Sequence, residues 1–306
     1  DKLAPDFLAP RRSTLDTLAR STRLATTLVM AARTLAGRTL VVTGGSRGIG
    51  LAIAKRAAAD GANIVLAAKT ADPHPKLPGT IYTAADECLS AGANDVLPVQ
   101  CDIMDDAATE RMVEAAVAKF GGIDILINNA SAIDNSGTLE MRAKKYHLMH
   151  NINGRGTFWT SKLCLPHLLK GTNPHVLNLS PPLDMDPRWS KLGGVAYTMA
   201  KYNMVRIQAT QPAPLAWQCR AARVRIPLPQ SMCALGMAEE FRGQVAFNCL
   251  WPRTAIATAA IQMLAGDLGV KASRSVDIMS DAAHWILTQP HDSCTGHTFI
   301  DDEVLT

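Results

Sequence analysis

The chain of 306 residues is long enough for one large α/β domain, and its 47% hydrophobic and 19% charged residues are typical of a globular protein. No apolar run is long enough to cross a bilayer, and the seven cysteines form no C-x-x-C pair, which argues against a membrane span, a zinc module and a disulfide framework. The net charge of +4 does not indicate a nucleic-acid surface, because residues 1–36 carry +3 and residues 205–230 carry +4, which leaves −3 for the remaining body.

Residues 1–36 are rich in Arg, Ser, Thr, Leu and Ala, which is the composition of an organelle transit segment. On this basis we predict a mitochondrial or peroxisomal location, with the cytoplasm as the alternative. Three aspartates in the segment favour a second interpretation, in which these residues are an irregular fragment end and Met30 is the true start. Both interpretations make residues 1–36 a leader that precedes the folded domain.

The stretch from Thr39 to Gly50 predicts a buried strand and a glycine turn, and residues 51–60 then predict a helix. Gly44, Gly48 and Gly50 give the spacing G-x-x-x-G-x-G, a variant of the dinucleotide-binding fingerprint. Glycines let backbone N–H groups approach a phosphate closely, and the helix N-terminus adds partial positive charge. We therefore predict a dinucleotide site at this turn, with a purely structural turn as the alternative.

The end of the second predicted strand, residues 61–68, indicates which dinucleotide binds. Enzymes that use NAD usually place an acidic residue here to bind the ribose hydroxyls. This chain has Lys69 instead, and Arg47 lies in the glycine turn. Two cations without an acid favour a 2′-phosphate, so we predict NADP in preference to NAD.

The rest of the chain continues to alternate between strand and helix patterns. The predicted helices are 80–91, 107–120 and 153–169, and the predicted strands are 97–101, 123–127 and 175–180. This alternation predicts an α/β fold, a doubly wound parallel sheet of the Rossmann type with about seven strands, in a single domain over residues 37–303. Ligands are then expected at the carboxyl ends of the strands.

His147 and His150 have the spacing of one helical face, on which two metal ligands could lie side by side. No third candidate ligand follows nearby. We therefore interpret both as surface or packing residues and predict no metal site.

Tyr197 and Lys201 are four residues apart, which places them on the same face of a helix. A phenol has a pKa near 10 and is a poor base at neutral pH. An adjacent ammonium group stabilises the phenolate and lowers this pKa. A chance pair has the same spacing, but this one follows a dinucleotide-binding pattern and a strand that ends at Ser180, so we predict an acid–base pair.

Several motifs in a fixed order make the chain resemble the short-chain dehydrogenase/reductases over residues 37–204 and 232–303. The matching positions are Thr43–Gly50, Asp102, Asn128, Asn129, Ala130, Asn153, Ser180, Tyr197 and Lys201. The resemblance implies an oxidoreductase that transfers a hydride between a nicotinamide dinucleotide and a secondary alcohol or its carbonyl. It also implies an apolar, lipid-like substrate of the steroid or fatty-acyl type.

The resemblance implies a role for each matching residue. Tyr197 would exchange a proton with the substrate oxygen, Lys201 would hold the ribose hydroxyls, and Asn153 would anchor a water in a proton relay. Asp102 would meet the adenine, and Ile256 would face the nicotinamide amide. The other cofactor-binding positions that it implies are Gly44, Ser46, Arg47, Gly48, Ile49, Gly50, Lys69, Ile103, Asn129 and Ala130.

The chain departs from the family pattern at the serine that orients the substrate. This serine usually follows another small residue in an N-x-S-S run, whereas the run here is Asn178-Leu179-Ser180-Pro181. Ser180 is the candidate catalytic serine, and Pro181 is the alternative occupant of its place.

Residues 205–230 interrupt the resemblance. They contain four prolines and four arginines, and prolines at this density cannot continue the helix that follows Lys201. The Val at the start and the Pro-Leu-Pro-Gln at the end could be encoded by the borders of an intron. Residues 205–230 are therefore either an in-frame retained intron or a genuine loop of this lineage. Sequencing the transcript distinguishes the two, because messages that all contain the segment would exclude intron retention.

Two functions of different classes remain open. One is the NADP-dependent oxidoreductase, which would be a homo-oligomer if the helix after Lys201 is intact. The other is an NADP-binding protein with little or no catalysis that serves as a lipid-handling or interaction module. Pro181 and residues 205–230 both favour the second.

Overall fold

The computed structural model describes residues 34–73, 77–181, 194–202 and 232–306. The chain divides into two units, Asp1–Thr34 and Leu35–Thr306, and the elements below belong to the second. Two predicted segments lie outside the described residues: the leader up to residue 33, which includes Met30, and the insertion at residues 205–230. None of the helices formed by the described residues is both long enough and apolar enough to span a membrane.

Seven parallel strands form one sheet. In chain order they are β1 Thr39–Thr43, β2 Asn63–Ala68, β3 Asp95–Gln100, β4 Ile125–Asn128, β5 His175–Leu179, β6 Ala246–Trp251 and β7 Thr298–Ile300. Their spatial order is β3-β2-β1-β4-β5-β6-β7, so the sheet grows in opposite directions from β1 and β4. This is the predicted doubly wound arrangement, and it opens a crevice where the carboxyl ends of β1 and β4 diverge.

Helices cover both faces of the sheet. They are α1 Gly48–Ala58, α2 Ile81–Ser90, α3 Asp106–Phe120, α4 Ala143–Met149, a π-helix His150–Gly156, α5 Thr157–Leu168, α6 Val195–Tyr202, α7 Met232–Glu240, α8 Ala259–Lys271, α9 Asp277–Leu287 and α10 Asp301–Val304. Every residue of β1 and β4 is buried, as expected for parallel strands with helices on both faces. Side chains of α1 and α9 fill one apolar cluster, and those of α3 and α5 fill the other.

Helix α1 begins three residues earlier than predicted, at Gly48 instead of Leu51. Two glycines of the fingerprint therefore lie inside its first turn, where the sequence pattern indicated only a turn. A later boundary is predicted accurately: α3 ends at Phe120, and the Gly121 that follows has a φ of 81°, the left-handed conformation that glycine tolerates.

The predicted helix over residues 153–169 is wrong at its start. The chain instead passes from α4 through the π-helix His150–Gly156 into α5 without a break. A π-helix bonds each N–H to the carbonyl five residues back and is rare, so apolar periodicity does not reveal it. Asn153 lies at the centre of this segment and is 1% exposed.

His175 begins β5 at the end of the sheet opposite the crevice. The side chain is 1% exposed, and Nε2 lies 3.0 Å from the carbonyl oxygen of Gln289. The pKa of His175 is lowered from 6.5 to about 4, chiefly by burial. The hydrogen bond to Gln289 opposes this shift, and the nearby Arg38 and His291 add to it. The folded chain therefore holds this imidazole neutral at a pH where the unfolded chain protonates it.

This difference predicts a loss of stability in acid. Between pH 6.5 and about 4 the unfolded chain binds a proton that the folded chain does not, so the free energy of unfolding falls as the pH falls. We expect unfolding by urea to require about 2 kcal/mol less at about pH 5 than at about pH 7 because of His175. The variant His175→Gln should lose this part of the pH dependence, while His147→Gln at an exposed site should keep it; an equal pH dependence in the wild type and His175→Gln would contradict the assignment.

Candidate active site

The glycine turn is tied to the end of β4 by side-chain hydrogen bonds. The Thr43 hydroxyl donates to the Ile127 carbonyl at 3.2 Å and accepts from the N–H groups of Asn129 and Ala130, both at 3.1 Å. The Asn129 amide donates to the carbonyls of Thr43 and Gly44, both at 3.0 Å. The two strands that flank the crevice are thus fixed to each other at their carboxyl ends.

The backbone of the turn packs so closely against the end of β4 that Gly44 has no room for a side chain. Gly44 has a φ of 66°, and a Cβ there would lie 2.9 Å from Asn129 Nδ2 and 3.0 Å from Ala130 Cα. Gly48 has a φ of 57° and opens the first turn of α1. No side chain caps this helix, since Arg47 makes no capping hydrogen bond and the first turn holds no acid. Its first N–H groups therefore have the donor arrangement that binds phosphate oxygens.

The two predicted cations lie at this end of the crevice. Arg47 donates to the Gly79 carbonyl at 3.1 Å, and burial lowers its pKa. Lys69 Nζ lies 3.3 Å from a carboxylate oxygen of Asp102. The end of β2 carries no acid, as the sequence shows, but the turn after β3 brings one beside Lys69. That neighbour was missed because it is distant in sequence.

Lys201 is the only cation in this part of the described structure that is fully enclosed. Its side chain lies in α6 and is 4% exposed; Nζ donates to the Leu179 carbonyl at 3.0 Å and lies 5.6 Å from the centre of the Trp251 ring. Burial lowers the pKa of Lys201 to about 8, and the neighbouring Cys249 opposes the shift. Trp251 could not be predicted as a neighbour of Lys201, because it lies 50 positions later in the chain, at the end of β6.

Tyr197 lies one turn before Lys201 and packs against the small apolar cluster of Met149, Ala196 and Ala200. Burial raises the pKa of Tyr197 to about 12, against a hydrogen bond with the Ser131 side chain that lowers it. The expected lowering by Lys201 is not found, because the ammonium group is directed to a carbonyl and an indole ring. Ser131 was missed by sequence reasoning, although it directly follows the Asn128-Asn129-Ala130 run that was singled out.

Ser180 follows β5 directly, next to the carbonyl that Lys201 binds. It is 1% exposed, and its hydroxyl oxygen makes no hydrogen bond within the part of the chain that the structure describes. Pro181 is also buried. A buried hydroxyl without a partner is uncommon in folded proteins, and it is the kind of group that a bound ligand or water satisfies.

Asn153 fixes the loop that carries Ser131. Its side-chain oxygen accepts from the Ala132 N–H and its amide donates to the Ala132 carbonyl, both at 2.9 Å. The rare π-helix thus places an amide against the segment that follows β4. The remaining predicted cofactor positions are buried or partly buried. They follow β1, β3 and β6 in the chain: Ser46, Ile49 and Gly50 after β1, Ile103 after β3 and Ile256 after β6.

Of the two histidines with helical spacing, His150 is a packing residue and His147 lies at the surface. The His150 ring stacks on Tyr146 with 4.0 Å between ring centres, and His147 is exposed. Among the described residues no three His, Cys, Asp or Glu side chains come together in a way that could hold a metal ion.

Known proteins are similar to this chain in sequence and in fold. A family model described as short chain dehydrogenase matches residues 38–216. Hydroxysteroid dehydrogenase-like protein 2 from Danio rerio is 55% identical over 271 residues, which are 89% of this chain and 58% of that protein, and the Homo sapiens protein of the same name is 49% identical over the same shares. The chain therefore spans little more than half the length of these curated relatives.

A solved structure also matches. It is a short chain dehydrogenase from Mycobacterium thermoresistibile, 46% identical, with a TM-score of 0.75 over 89% of this chain and 87% of that one. The predicted family and the predicted sheet are both confirmed by these matches. The chain belongs to the short-chain dehydrogenase family of oxidoreductases, whose members use nicotinamide dinucleotides.

Proposed function

We propose that the chain is an NADP-dependent oxidoreductase that transfers a hydride between nicotinamide and a secondary alcohol or carbonyl of an apolar, lipid-like substrate. One observation carries the proposal: Lys201, whose side chain is enclosed, lies one helical turn after Tyr197 in α6. It is anchored to the Leu179 carbonyl, next to the unpartnered hydroxyl of Ser180. A charge and two hydroxyls at the carboxyl end of a strand suit proton exchange with a substrate oxygen.

The residues present fit a dinucleotide. The uncapped start of α1, which Gly48 opens, supplies free N–H donors for the pyrophosphate, and the Asn129 amide fixes the turn through the Gly44 carbonyl. When bound, the nicotinamide ring supplies the hydride donor or acceptor. The chain itself binds the cofactor, orients the substrate and handles the proton.

Tyr197 is the proposed proton donor. Its pKa of about 12 keeps the hydroxyl protonated at neutral pH, so this residue is prepared to donate a proton to a carbonyl oxygen as that oxygen gains negative charge. The protonated hydroxyl is the form that carbonyl reduction requires. Lys201 carries a positive charge below its pKa of about 8, and in the proposed mechanism its ammonium group holds the ribose hydroxyls of the cofactor.

The pH dependence of this reaction tests the proposal. Lys201 loses its charge as the pH rises through about 8, so kcat/KM for carbonyl reduction with NADPH should fall above that pH. Rates are measured with a panel of apolar ketones on the full chain, and circular dichroism at each pH checks that the fold persists. A kcat/KM that stays level or rises well above pH 8 would contradict the role of Lys201.

Arg47 supports the preference for NADP. Among the described residues, the Gly79 carbonyl is the one hydrogen-bond partner of its guanidinium, so further N–H donors face this part of the structure and suit a phosphate. Lys69 is 57% exposed beside Asp102 and contributes less, because that carboxylate partly neutralises it.

The cofactor preference gives a second test. Replacing Arg47 by Gln should weaken NADPH binding about tenfold and change NADH binding little, because only NADPH carries the 2′-phosphate. The exposed Arg111→Gln on α3 is the matched control. Equal losses for NADPH and NADH would show that Arg47 does not recognise the 2′-phosphate.

The substrate class rests on two observations. The curated relatives are named for hydroxysteroids. Helix α8 follows the segment after β6 and leaves Met263, Leu264 and Leu268 exposed by 72%, 45% and 82%. Exposed apolar side chains near a binding crevice suit an apolar substrate.

A second candidate function is NADP binding with little or no catalysis. It is favoured by the buried Pro181 directly after Ser180 and by the partner of Tyr197, which is Ser131 and not Ser180. Both functions require the same dinucleotide site. The oxidoreductase predicts a measurable turnover that is lost when the Tyr197 hydroxyl is removed. The binding protein predicts little or no turnover with or without that hydroxyl.

A further inference from the structure

The segment after β6 runs along the carboxyl edge of the sheet. It leaves Trp251 at the end of β6 and reaches the glycine turn by Thr258, whose Cγ2 would lie 3.4 Å from a Cβ on Gly48. Strands β5 and β4 lie between β6 and β1 in the sheet. In a doubly wound fold this half of the crevice holds the second nucleotide, which in NADP is the nicotinamide half. Residues 252–258 therefore border the nicotinamide end.

Arg274 holds this segment through both its backbone and its side chain. Its N–H donates to the Ala255 carbonyl at 3.0 Å, and its carbonyl accepts from the Ala257 N–H at 2.9 Å. Its Nε donates to the Thr254 hydroxyl at 2.7 Å. Ile256, between the two backbone bonds, is 3% exposed in the apolar cluster beneath.

Asp301 in turn fixes Arg274. Its side chain is 0% exposed, and one carboxylate oxygen lies 2.7 Å from Arg274 Nη2. The other accepts from the N–H groups of Arg253 at 3.1 Å and Asp302 at 2.9 Å. This carboxylate therefore joins both ends of the segment, through Arg253 directly and through Arg274. Because both oxygens of this buried carboxylate are bonded, its position and that of Arg274 are restricted to one geometry.

We propose that Arg274 and Asp301 are positioning residues for the nicotinamide half of the cofactor. They hold residues 254–257 at the crevice without touching the reacting atoms. The inference rests on the proposed function, since it names which part of the bound dinucleotide depends on this clamp. Its consequence is selective: loosening the clamp weakens contacts to nicotinamide and leaves those to the adenosine phosphates, at the opposite side of the crevice, unchanged.

The test compares two ligands on the full chain. Asp301→Asn should weaken binding of NADPH about tenfold and leave binding of 2′-phospho-ADP-ribose, which lacks nicotinamide, within about twofold of the wild type. Asp95→Asn is the matched control: it removes a half-exposed carboxylate that pairs with Lys119 at the start of β3, away from this segment, and should change neither affinity. A role confined to stability would lower the melting temperature and alter both affinities equally or not at all.

The outcomes separate the two levels of the proposal. If the unaltered chain binds neither ligand, the proposed function fails and this inference fails with it. If it binds both and Asp301→Asn weakens both equally or neither, only the positioning role is overturned. Should Asp301→Asn not fold, Thr254→Val at an exposed position removes one hydroxyl of the clamp, and it should weaken NADPH alone by about threefold.

Discussion

Tyr197→Phe is expected to lower carbonyl reduction by about 10²–10⁴-fold while the Kd for NADPH stays within about twofold of the wild type. The substitution removes one hydroxyl and keeps the ring, which packs against Met149, Ala196 and Ala200. Ser131, the hydrogen-bond partner that is lost, is exposed and can turn to water. The fold and the dinucleotide site should therefore survive, and only the proton donor is missing.

Tyr146→Phe is the matched control for this variant. Tyr146 contacts the same apolar cluster and its ring stacks on His150, but it has no place in the proposed proton transfer. Its rate should stay close to that of the wild type. Full activity in Tyr197→Phe, or equal losses in the two variants, would remove Tyr197 from the mechanism.

Gly44→Ala is expected to weaken NADPH binding by about 10²-fold or more. The new methyl group would lie 3.0 Å from the Cα of Ala130 and 2.9 Å from the Asn129 amide nitrogen, closer than ordinary contacts. Because Ala130 offers backbone and not a flexible side chain, the turn itself has to move. That movement breaks the hydrogen bonds through which Asn129 joins the turn to β4.

Gly61→Ala provides the control for the backbone strain. Gly61 has a φ of 85°, so alanine there pays the same left-handed penalty of about 1–2 kcal/mol, but nothing lies within 4 Å of the added carbon. Gly61→Ala should lose only the stability that the left-handed penalty costs, Gly44→Ala should lose more because of the contact with Ala130, and only Gly44→Ala should lose affinity. Unchanged NADPH affinity in Gly44→Ala would mean that the dinucleotide binds elsewhere.

Local sequence signals were sufficient for the sheet and the glycine turn. Continuous apolar runs such as Val41-Val42 and Ile125-Leu126-Ile127 mark strands buried on both faces, and alternation with helices then restricts the topology to a doubly wound sheet. The carboxyl ends of parallel strands meet at one edge, so Gly44 and Asn129 could be placed together before any coordinates were known.

Contacts between distant parts of the chain could not be predicted in this way. The pairing of Lys69 with Asp102 depends on where the turn after β3 folds back, and neither residue has a local signature for it. Burial raises the pKa of Tyr197, and the lowering expected from Lys201 is missing because its ammonium group donates to the Leu179 carbonyl; spacing along a helix fixes the face and not the partner.

The π-helix around Asn153 is a third case. Apolar periodicity distinguishes helix from strand but not one helical hydrogen-bonding pattern from another. The two hydrogen bonds between Asn153 and Ala132 require the loop after β4 to lie against that helix, which is a property of the whole fold. Clamps of this kind, with that of Arg274 and Asp301, become visible only in three dimensions.

Transfer of deuterium from NADPH labelled at the hydride position tests the proposed function most directly. The full chain is incubated with the labelled cofactor and a panel of apolar ketones, and the alcohols are analysed by mass spectrometry. We expect a single deuterium on the carbinol carbon with the wild type and almost none with Tyr197→Phe over the same time. Saturable NADPH binding without deuterium in any alcohol would contradict catalysis and would favour a dinucleotide-binding protein of another role.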